Sequence, residues 1–136
     1  MMADLKDSRI LVVEDNVDNF TLILRLLMAR GAEHCEWISS GWKVVEKVEQ
    51  SGLPDLILLD INLPYEDGFE VHRKLRLHPG LRSTIIVAVT ANAGQEWMQR
   101  AIREGFNGFI GKPIDPDRFA DQVERALRGE GVWEPE

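Results

Sequence analysis

The 136-residue sequence predicts an α/β fold in which helices cover both faces of a parallel five-stranded sheet. Five apolar runs alternate with helix-like stretches, which is the pattern of repeated βα units. The first, third and fourth runs are apolar throughout, as expected for parallel strands that are buried on both sides. The chain is long enough for one such domain with a full core and too short for two.

Three of the predicted strands are central, and two lie at the edges of the sheet. The central strands are the continuously apolar residues 10–13, 56–59 and 85–89. Charged side chains interrupt residues 32–39, and residues 109–111 form only a short run, so both are expected at edges. The pattern fits a doubly wound (βα)5 sandwich of the flavodoxin-like type, with three layers and the strand order 2-1-3-4-5.

Five helices are predicted between and after these strands. Glycines near three of the helix ends suit the left-handed conformation that often closes a helix. The predicted helices cover approximately residues 17–30, 41–51, 67–77, 94–104 and 116–128. The domain is therefore expected to span residues 9–128, with tails at residues 1–8 and 129–136.

The composition excludes several classes of protein. A net charge of −7 argues against intrinsic nucleic-acid binding, which needs a clustered basic face. The single cysteine, Cys35, excludes an internal disulfide and fits a reducing compartment. No apolar run reaches the ~20 residues of a membrane span, and the N-terminus lacks the apolar core of a signal peptide. We therefore expect a cytoplasmic protein that does not bind membranes.

Polar side chains follow four of the five predicted strands. They are Glu14 and Asp15 after the first strand, Asp60 after the third, Thr90 after the fourth and Lys112 after the fifth. In the order 2-1-3-4-5 the first and third strands are neighbours, and ligands bind at the carboxyl ends of strands where the order reverses. We expect these side chains to meet at one edge of the sheet.

This combination of side chains suits phosphoryl transfer with a divalent cation. Two ionised carboxylates ~5 Å apart repel by roughly 3 kcal/mol at an effective dielectric constant of about 20, so three of them need a cation or a raised pKa. Oxygen ligands and a phosphate-handling site favour Mg²⁺. We expect Glu14 and Asp15 to hold the cation and Asp60 to act as the nucleophile. Lys112 is expected to pair with Asp60 before the reaction, and Lys112 and Thr90 are expected to bind phosphoryl oxygens after it.

Four short motifs occur in a fixed order along the chain. They are Val13-Glu14-Asp15-Asn16, Asp60-Ile61-Asn62-Leu63-Pro64 with Asp67-Gly68, Val89-Thr90-Ala91 and Gly111-Lys112-Pro113. In their order and spacing they resemble the receiver domain of response regulators in two-component signalling, the family that includes the chemotaxis receivers. The resemblance covers about residues 8–128, and the ordered set is far more specific than any one motif.

The resemblance implies a role for each matching position. Asp60 is the phosphoacceptor, and Asp15 binds Mg²⁺ directly. Glu14, the other member of the acidic pair, contributes to binding Mg²⁺, often through a water molecule. The backbone carbonyl of Asn62 completes the metal contacts. The Lys112–Pro113 peptide bond is expected to be cis. The phosphoryl donor is a histidine of a sensor kinase or phosphotransfer protein, and the downstream protein target is not identified.

The resemblance also implies a switch formed by Thr90 and an aromatic residue three positions before the lysine. This aromatic residue is often tyrosine in the family and is Phe109 here. Phenylalanine has no hydroxyl group to donate when the ring turns inward, although a steric coupling to Thr90 remains available. The alternative is that Phe109 is a static core residue.

Two surfaces are candidates for partner binding. On the first helix, Phe20, Leu24 and Met28 form a second apolar stripe beside the one that packs on the sheet. In related receivers this helix docks the histidine-bearing helices of a kinase or phosphotransfer protein. On the fourth helix, Trp97 and Met98 are adjacent, so one of them is expected to be exposed. The alternative in both places is simple burial, and the expected state is a monomer or weak homodimer.

The leading interpretation is a receiver that switches protein–protein contacts, as a stand-alone regulator or a phosphorelay intermediate. A domain of a hybrid histidine kinase or larger regulator is the alternative. An aspartyl-phosphate phosphatase needs a second acid two residues after the nucleophile, and Asn62 at that position cannot transfer a proton. We therefore expect no enzymatic activity beyond the protein's own phosphorylation and dephosphorylation. The histidines are interpreted as surface residues: His34, His72 and His78.

Overall fold

Residues 4–64 and 66–135 are described by a computed structural model, in which helices lie on both faces of a parallel sheet. The strands in these residues are β1 (Arg9–Val13), β2 (His34–Ile38), β3 (Leu56–Leu59), β4 (Asn62–Leu63), β5 (Glu66–Asp67), β6 (Ile85–Thr90), β7 (Gly108–Gly111) and β8 (Val132–Glu134). The α-helices are α1 (Val17–Ala29), α2 (Val44–Ser51), α3 (Gly68–Leu77), α4 (Gln95–Glu104) and α5 (Phe119–Leu127). Short 3-10 helices cover Gly41–Lys43 and Pro79–Leu81.

The main sheet contains six parallel strands in the order β2-β1-β3-β6-β7-β8. Its first five strands have the predicted 2-1-3-4-5 arrangement, with β2 at one edge, so the doubly wound fold is confirmed. The sixth strand was not predicted, because it lies in residues 129–136, which were expected to form a tail. Since β8 pairs with β7, the expectation that residues 109–111 form an edge strand is wrong.

The register of the central strands brings their carboxyl ends to one place. Val13 of β1 is paired with Leu59 of β3, and Leu59 is paired with Ala88 of β6. The residues that follow β1 and β3 are therefore level with each other, and β6 extends two residues further to Thr90. Apolar side chains bury these strands on both faces, which fixes the register.

Each face of the sheet has its own hydrophobic core. One core lies under α2, α3 and α4, and it includes Phe69, Ala101 and Phe109. The other lies under α1 and α5, and it includes Leu27 and Val123. This division gives the three layers that the sequence predicts.

The loops at the carboxyl ends are held by the starts of two helices. Asn16 caps α1 by accepting a hydrogen bond from the backbone N–H of Asn19, at 3.0 Å. Asp67 caps α3 by accepting one from the backbone N–H of Phe69, at 2.9 Å. Asn16 lies three residues after the end of β1, so the start of α1 positions the acidic pair that follows this strand, whereas Asp67 lies eight residues after the end of β3, at the end of the β4–β5 hairpin.

The N-terminal residues within the described range pack on the domain. Leu5 is only 2% exposed and belongs to the core under α1 and α5. Ser8 is also buried, and its hydroxyl donates a hydrogen bond to the carbonyl of Asp4. Among the described residues, no helix has both the length and the apolar character that crossing a membrane requires.

Candidate functional site

Three carboxylates meet at the carboxyl ends of β1 and β3. Glu14, Asp15 and Asp60 each offer one oxygen, and these oxygens all lie within 4.8 Å of one another. Glu14 and Asp60 are buried, whereas Asp15 is exposed. The cluster follows from the parallel register, because β1 and β3 end side by side.

Lys112 lies between the two buried carboxylates. Its Nζ atom is 3.0 Å from Asp60 Oδ2, and it is 2.9 Å and 3.1 Å from the two carboxylate oxygens of Glu14. The sequence predicts the contact between Lys112 and Asp60, whereas the contact between Lys112 and Glu14 was not predicted. The Lys112–Pro113 peptide bond is cis, as the family resemblance implies.

Burial and pairing act in opposite directions on the pKa values of this cluster. Burial is the largest influence on the Glu14 carboxyl and raises its pKa, although hydrogen bonds from Lys112 and Asn19 oppose the rise. Burial by itself lowers the pKa of the Lys112 amine, but the carboxylates of Asp60 and Glu14 outweigh it, so the Lys112 pKa is raised. Lys112 is therefore a firmly protonated cation in this site.

The Asp60 carboxylate is held in a fixed orientation. Its Oδ1 atom accepts a hydrogen bond of 2.8 Å from the backbone N–H of Asn62, while Oδ2 is paired with Lys112. Asn62 itself is exposed at the start of the β4–β5 hairpin. Asp60 thus has one carboxylate oxygen on a backbone donor and the other on a cation.

Thr90 lies on β6, which is beside β3, and Phe109 lies on β7, the next strand of the sheet. Thr90 is fully buried, and its hydroxyl oxygen accepts a hydrogen bond of 3.2 Å from the backbone N–H of Asn92. The carbonyl of Thr90 accepts a hydrogen bond from the backbone N–H of Lys112, at 2.9 Å. Phe109 is also fully buried, in the core under α3 and α4. The backbone contact between Thr90 and Lys112 links the two strand endings directly.

Two residues that contact Glu14 were missed from the sequence. Asn19 donates a side-chain hydrogen bond to Glu14 Oε1, at 3.1 Å, from the first turn of α1. Trp37 of β2 donates its indole N–H to the backbone carbonyl of Glu14, at 2.7 Å. The sequence could have indicated the contact from Asn19, because this residue lies in the first turn of the helix that follows the acidic pair. Nothing in the sequence pattern indicates the contact from Trp37.

The predicted partner surfaces differ in how exposed they are. On α1, Phe20 is half-buried and stacks on Trp37 with ring centroids 5.0 Å apart, Leu24 is half-buried and Met28 is 58% exposed. On α4, Trp97 is half-buried and stacks on Phe69, while Met98 is buried in the core. Met98 is therefore unavailable for partner binding, because the helix turns it toward the sheet.

One of the three histidines contradicts the sequence interpretation. His72 is 1% exposed, and its ring stacks on Phe106 at a centroid distance of 4.2 Å. Neither ring nitrogen has a hydrogen-bond partner among the described residues. Burial is the main reason that its pKa is lowered to about 4, so the imidazole is neutral at pH 7.

A buried carboxylate beside a lysine and two further acids is the arrangement that the sequence motifs imply. Residues 10–124 match the family model of the response regulator receiver domain. The chain belongs to the receiver-domain family of response regulators. As a receiver domain, it takes part in two-component phosphorelay signalling.

Curated relatives include both small regulators and large kinases. The receiver is 35% identical over 118 residues to the polar-differentiation response regulator DivK of Brucella abortus, covering 87% of this chain and 94% of DivK. It is 32% identical over 123 residues to the signal transduction histidine-protein kinase BarA of Shigella flexneri, covering 90% of this chain. The chain spans only 13% of the length of BarA.

Solved structures support the same fold. The Mn²⁺-bound form of response regulator Rcp1 superposes with a TM-score of 0.71 and 25% identity, covering 86% of this chain and 89% of Rcp1. The acidic cluster of the present receiver has the chemistry to bind a similar ion, because three carboxylates offer hard oxygen ligands within a few ångströms of one another.

Proposed function

We propose that this receiver accepts a phosphoryl group on Asp60 from the phosphohistidine of a sensor kinase or a histidine phosphotransfer protein. The observation that carries the proposal is the position of Asp60: a buried carboxylate held by Lys112 and by a backbone N–H, within 4.8 Å of two further carboxylates. A carboxylate in such a site is a competent nucleophile for phosphorus, because Lys112 and the backbone N–H of Asn62 hold it in one orientation.

Mg²⁺ is the proposed cofactor, held by Glu14, Asp15, Asp60 and the backbone carbonyl of Asn62. When bound, the ion neutralises negative charge on the carboxylates and on the phosphoryl group. Asp15 is the exposed member of the acidic cluster, which favours it as a direct ligand. Glu14 is engaged by Lys112 and Asn19, which favours an indirect role. The Mn²⁺-bound form of Rcp1 is a related case within the family.

The transfer step uses groups that are already aligned. A carboxylate oxygen of Asp60 attacks phosphorus, the new O–P bond forms, and the P–N bond to the donor histidine breaks, so the imidazole leaves with its electron pair and takes a proton. Lys112 moves its hydrogen bond from Asp60 to a phosphoryl oxygen. The Thr90 hydroxyl, whose oxygen accepts from the backbone N–H of Asn92, donates its proton to another phosphoryl oxygen.

Phosphorylation changes protein–protein contacts in this proposal. Thr90 couples the phosphoryl group to β7, where Phe109 is packed in the core, so a shift of Thr90 alters how that ring packs. The proposed surface for the histidine-bearing partner contains Phe20, Leu24 and Met28 of α1, together with the exposed Trp37 of β2, on which Phe20 stacks. We place this signalling in the cytoplasm, with catalysis limited to the receiver's own phosphorylation and dephosphorylation.

Two cellular roles are supported by different relatives. The match over 94% of DivK favours a stand-alone regulator or phosphorelay intermediate. The match to one segment of BarA favours a receiver of a hybrid histidine kinase as the alternative. Both roles require the same chemistry at Asp60.

Phosphorylation in vitro tests the site directly. Incubation with acetyl phosphate and Mg²⁺ is expected to add one phosphoryl group to the intact mass, and Asp60→Asn is expected to abolish the addition. Asp117→Asn, which changes an exposed aspartate outside the acidic cluster, serves as the matched control and is expected to retain labelling. Equal labelling of Asp60→Asn and the unmodified protein would show that the assignment of the phosphoacceptor is wrong.

A further inference from the structure

The last strand of the sheet is formed by only three residues near the C-terminus. β8 runs parallel to β7, with Gly108 opposite Val132, Phe109 opposite Trp133 and Ile110 opposite Glu134. A strand of this length gains little from backbone pairing alone, so its side chains must hold it in place.

Each side chain of β8 has a separate anchor. Val132 is fully buried in the core under α1 and α5, whereas Trp133 packs on the opposite face, against the core that contains Phe109. Neighbouring residues of a strand face opposite sides of the sheet, so the side chains of Val132 and Trp133 hold β8 from both faces. The third residue, Glu134, is held by polar groups.

The Glu134 carboxylate is bound by three donors at and within α5. Oε2 lies 2.7 Å from a guanidinium nitrogen of Arg125, and Oε1 accepts a hydrogen bond of 3.1 Å from the side-chain amide of Gln122. Arg118 also donates to Oε1. Two guanidiniums and an amide around one carboxylate form a recognition site for an acidic side chain.

The edge of β7 is shaped to accept a strand. Gly108 has no side chain at the point where β8 passes, and a Cβ atom there would lie 2.8 Å from the carbonyl oxygen of Val132. At the other end, a cavity of about 260 Å³ continues past β8, lined by Gly111, Lys112, Arg118 and Glu134. Open space therefore continues beyond the end of β8.

The segment that occupies the groove is joined to α5 by a short exposed link. Residues 128–131 are exposed, and Gly129 has a φ of +84°, in the left-handed region that favours glycine. The backbone N–H groups of residues 128–130 donate hydrogen bonds to carbonyls in the last turns of α5, so the link is fixed to the helix up to Glu130. Rotation at Gly131 therefore allows β8 to leave the groove without unfolding α5.

We propose that the β7 edge is a docking groove for an extended segment of another protein, in which an apolar residue, an aromatic residue and an acidic residue follow one another. The chain's own Val132–Glu134 fills the groove and competes with that partner. The partner segment adds as a strand to β7, fills the apolar sites on both faces and places its carboxylate between Arg118 and Arg125. This interaction does not depend on phosphorylation of Asp60.

A peptide-binding experiment tests the groove. The probe is a fluorescently labelled peptide with the sequence of residues 129–136, and the receiver is the full chain carrying Trp133→Ala and Glu134→Ala, which removes two of its own anchors. Because the tethered segment competes at an effective concentration of ~1 mM, we expect the peptide to bind the double variant about tenfold more tightly than the unmodified protein.

Blocking the groove should remove this gain. Adding Gly108→Ala to the double variant is expected to abolish peptide binding, because the new methyl group occupies the path of the strand. Gly94→Ala is the matched control, since a Cβ atom at Gly94 meets nothing within 4 Å. Peptide binding that survives Gly108→Ala would place the peptide elsewhere and overturn the proposal.

Hydrogen exchange of the β7 amides decides the remaining outcomes. We expect these amides to exchange faster in the double variant and to be protected again by the peptide. Fast exchange without peptide binding would mean that β8 is only a cover for the sheet edge. Unchanged slow exchange would mean that Trp133 and Glu134 do not hold the strand, which also contradicts the proposal.

Discussion

The receiver holds carboxylates against cations in two regions that differ in exposure. At the carboxyl ends of the strands, Lys112 pairs with Glu14 and Asp60, and the three side chains are 12%, 2% and 5% exposed. At the edge of the sheet, Glu134 pairs with two arginines, and these side chains are 23–58% exposed. The same chemistry therefore operates almost without water in one region and beside water in the other.

This difference decides what each pair contributes. An exposed ion pair contributes at most about 1 kcal/mol, so the arginines select a carboxylate at the edge without stabilising the fold much. Removing one partner of a buried pair leaves a charge without compensation, at a cost of about 3–5 kcal/mol. At the carboxyl-end site, adding or removing one positive charge is therefore expected to change the free energy of unfolding strongly. At the edge of the sheet, the arginines serve mainly to select an acidic side chain.

The largest expected effect comes from removing the buried cation. Lys112→Met is expected to lower the free energy of unfolding by about 3–5 kcal/mol at pH 7 without divalent ions, because it leaves the buried carboxyl groups of Glu14 and Asp60 without their cation. Urea unfolding followed by circular dichroism measures the change, and Lys43→Met, at an exposed lysine, is the control. Mg²⁺ should recover part of the loss. A change below about 1 kcal/mol would contradict the difference between the two regions.

His72 extends the comparison to a buried ionisable group whose ring nitrogens have no hydrogen-bond partner in the part of the chain that the structure describes. Its pKa in the folded protein is about 4, below the ordinary value of 6.5, so the stability it contributes is present above pH 6.5 and lost as the pH falls toward 4. The loss across this window is expected to be about 3 kcal/mol. His72→Phe, which keeps the stacking on Phe106, should remove it, as measured by urea unfolding at several pH values. An identical acid response in both proteins would show that His72 is not the cause.

The carboxyl-end site was predictable because each of its residues is marked twice in the sequence. Asp60 and Lys112 each end an apolar run, and each lies in a motif with a fixed order. The fold then follows from the strand order, which brings those endings together. The additional contact between Lys112 and Glu14 was not predictable, since strand order specifies which endings are neighbours but not which oxygen an amine will reach.

The edge strand carried no comparable signal. Val132–Glu134 is too short to show an alternating pattern, and its stability depends on α5 residues and on the bare backbone of Gly108, which are remote in sequence. His72 is different, because the signal was present: Phe69, His72 and Leu75 are spaced three residues apart on one face of α3, and all three are buried. Treating histidine as a surface residue hid that periodicity.

Truncation of Trp133 measures how much packing holds the edge strand. Trp133→Ala is expected to lower the free energy of unfolding by about 2 kcal/mol, because a half-buried indole leaves the core around Phe109. Trp42→Ala, which removes an indole that is 67% exposed, is the matched control and should cost less. Equal effects of the two changes in thermal unfolding would mean that β8 is not packed on the sheet.

The smallest effects should differ in sign between the two regions. Glu14→Gln is expected to raise the free energy of unfolding by about 1 kcal/mol at pH 7 without Mg²⁺, because it removes a buried negative charge while Lys112 keeps Asp60. The folded-state pKa of Glu14 is raised above 4.5, so its stabilising contribution is complete below that pH and is lost as the pH rises through the folded value. The gain from Glu14→Gln should therefore disappear as the pH falls toward 4.5.

Glu134→Gln at the exposed edge should instead lower stability by less than about 1 kcal/mol, because its pairs are screened by water. Urea unfolding of both variants at pH 7 and pH 4.5 separates the two cases, and a loss of stability for both at pH 7 would mean that burial does not distinguish the two carboxylates.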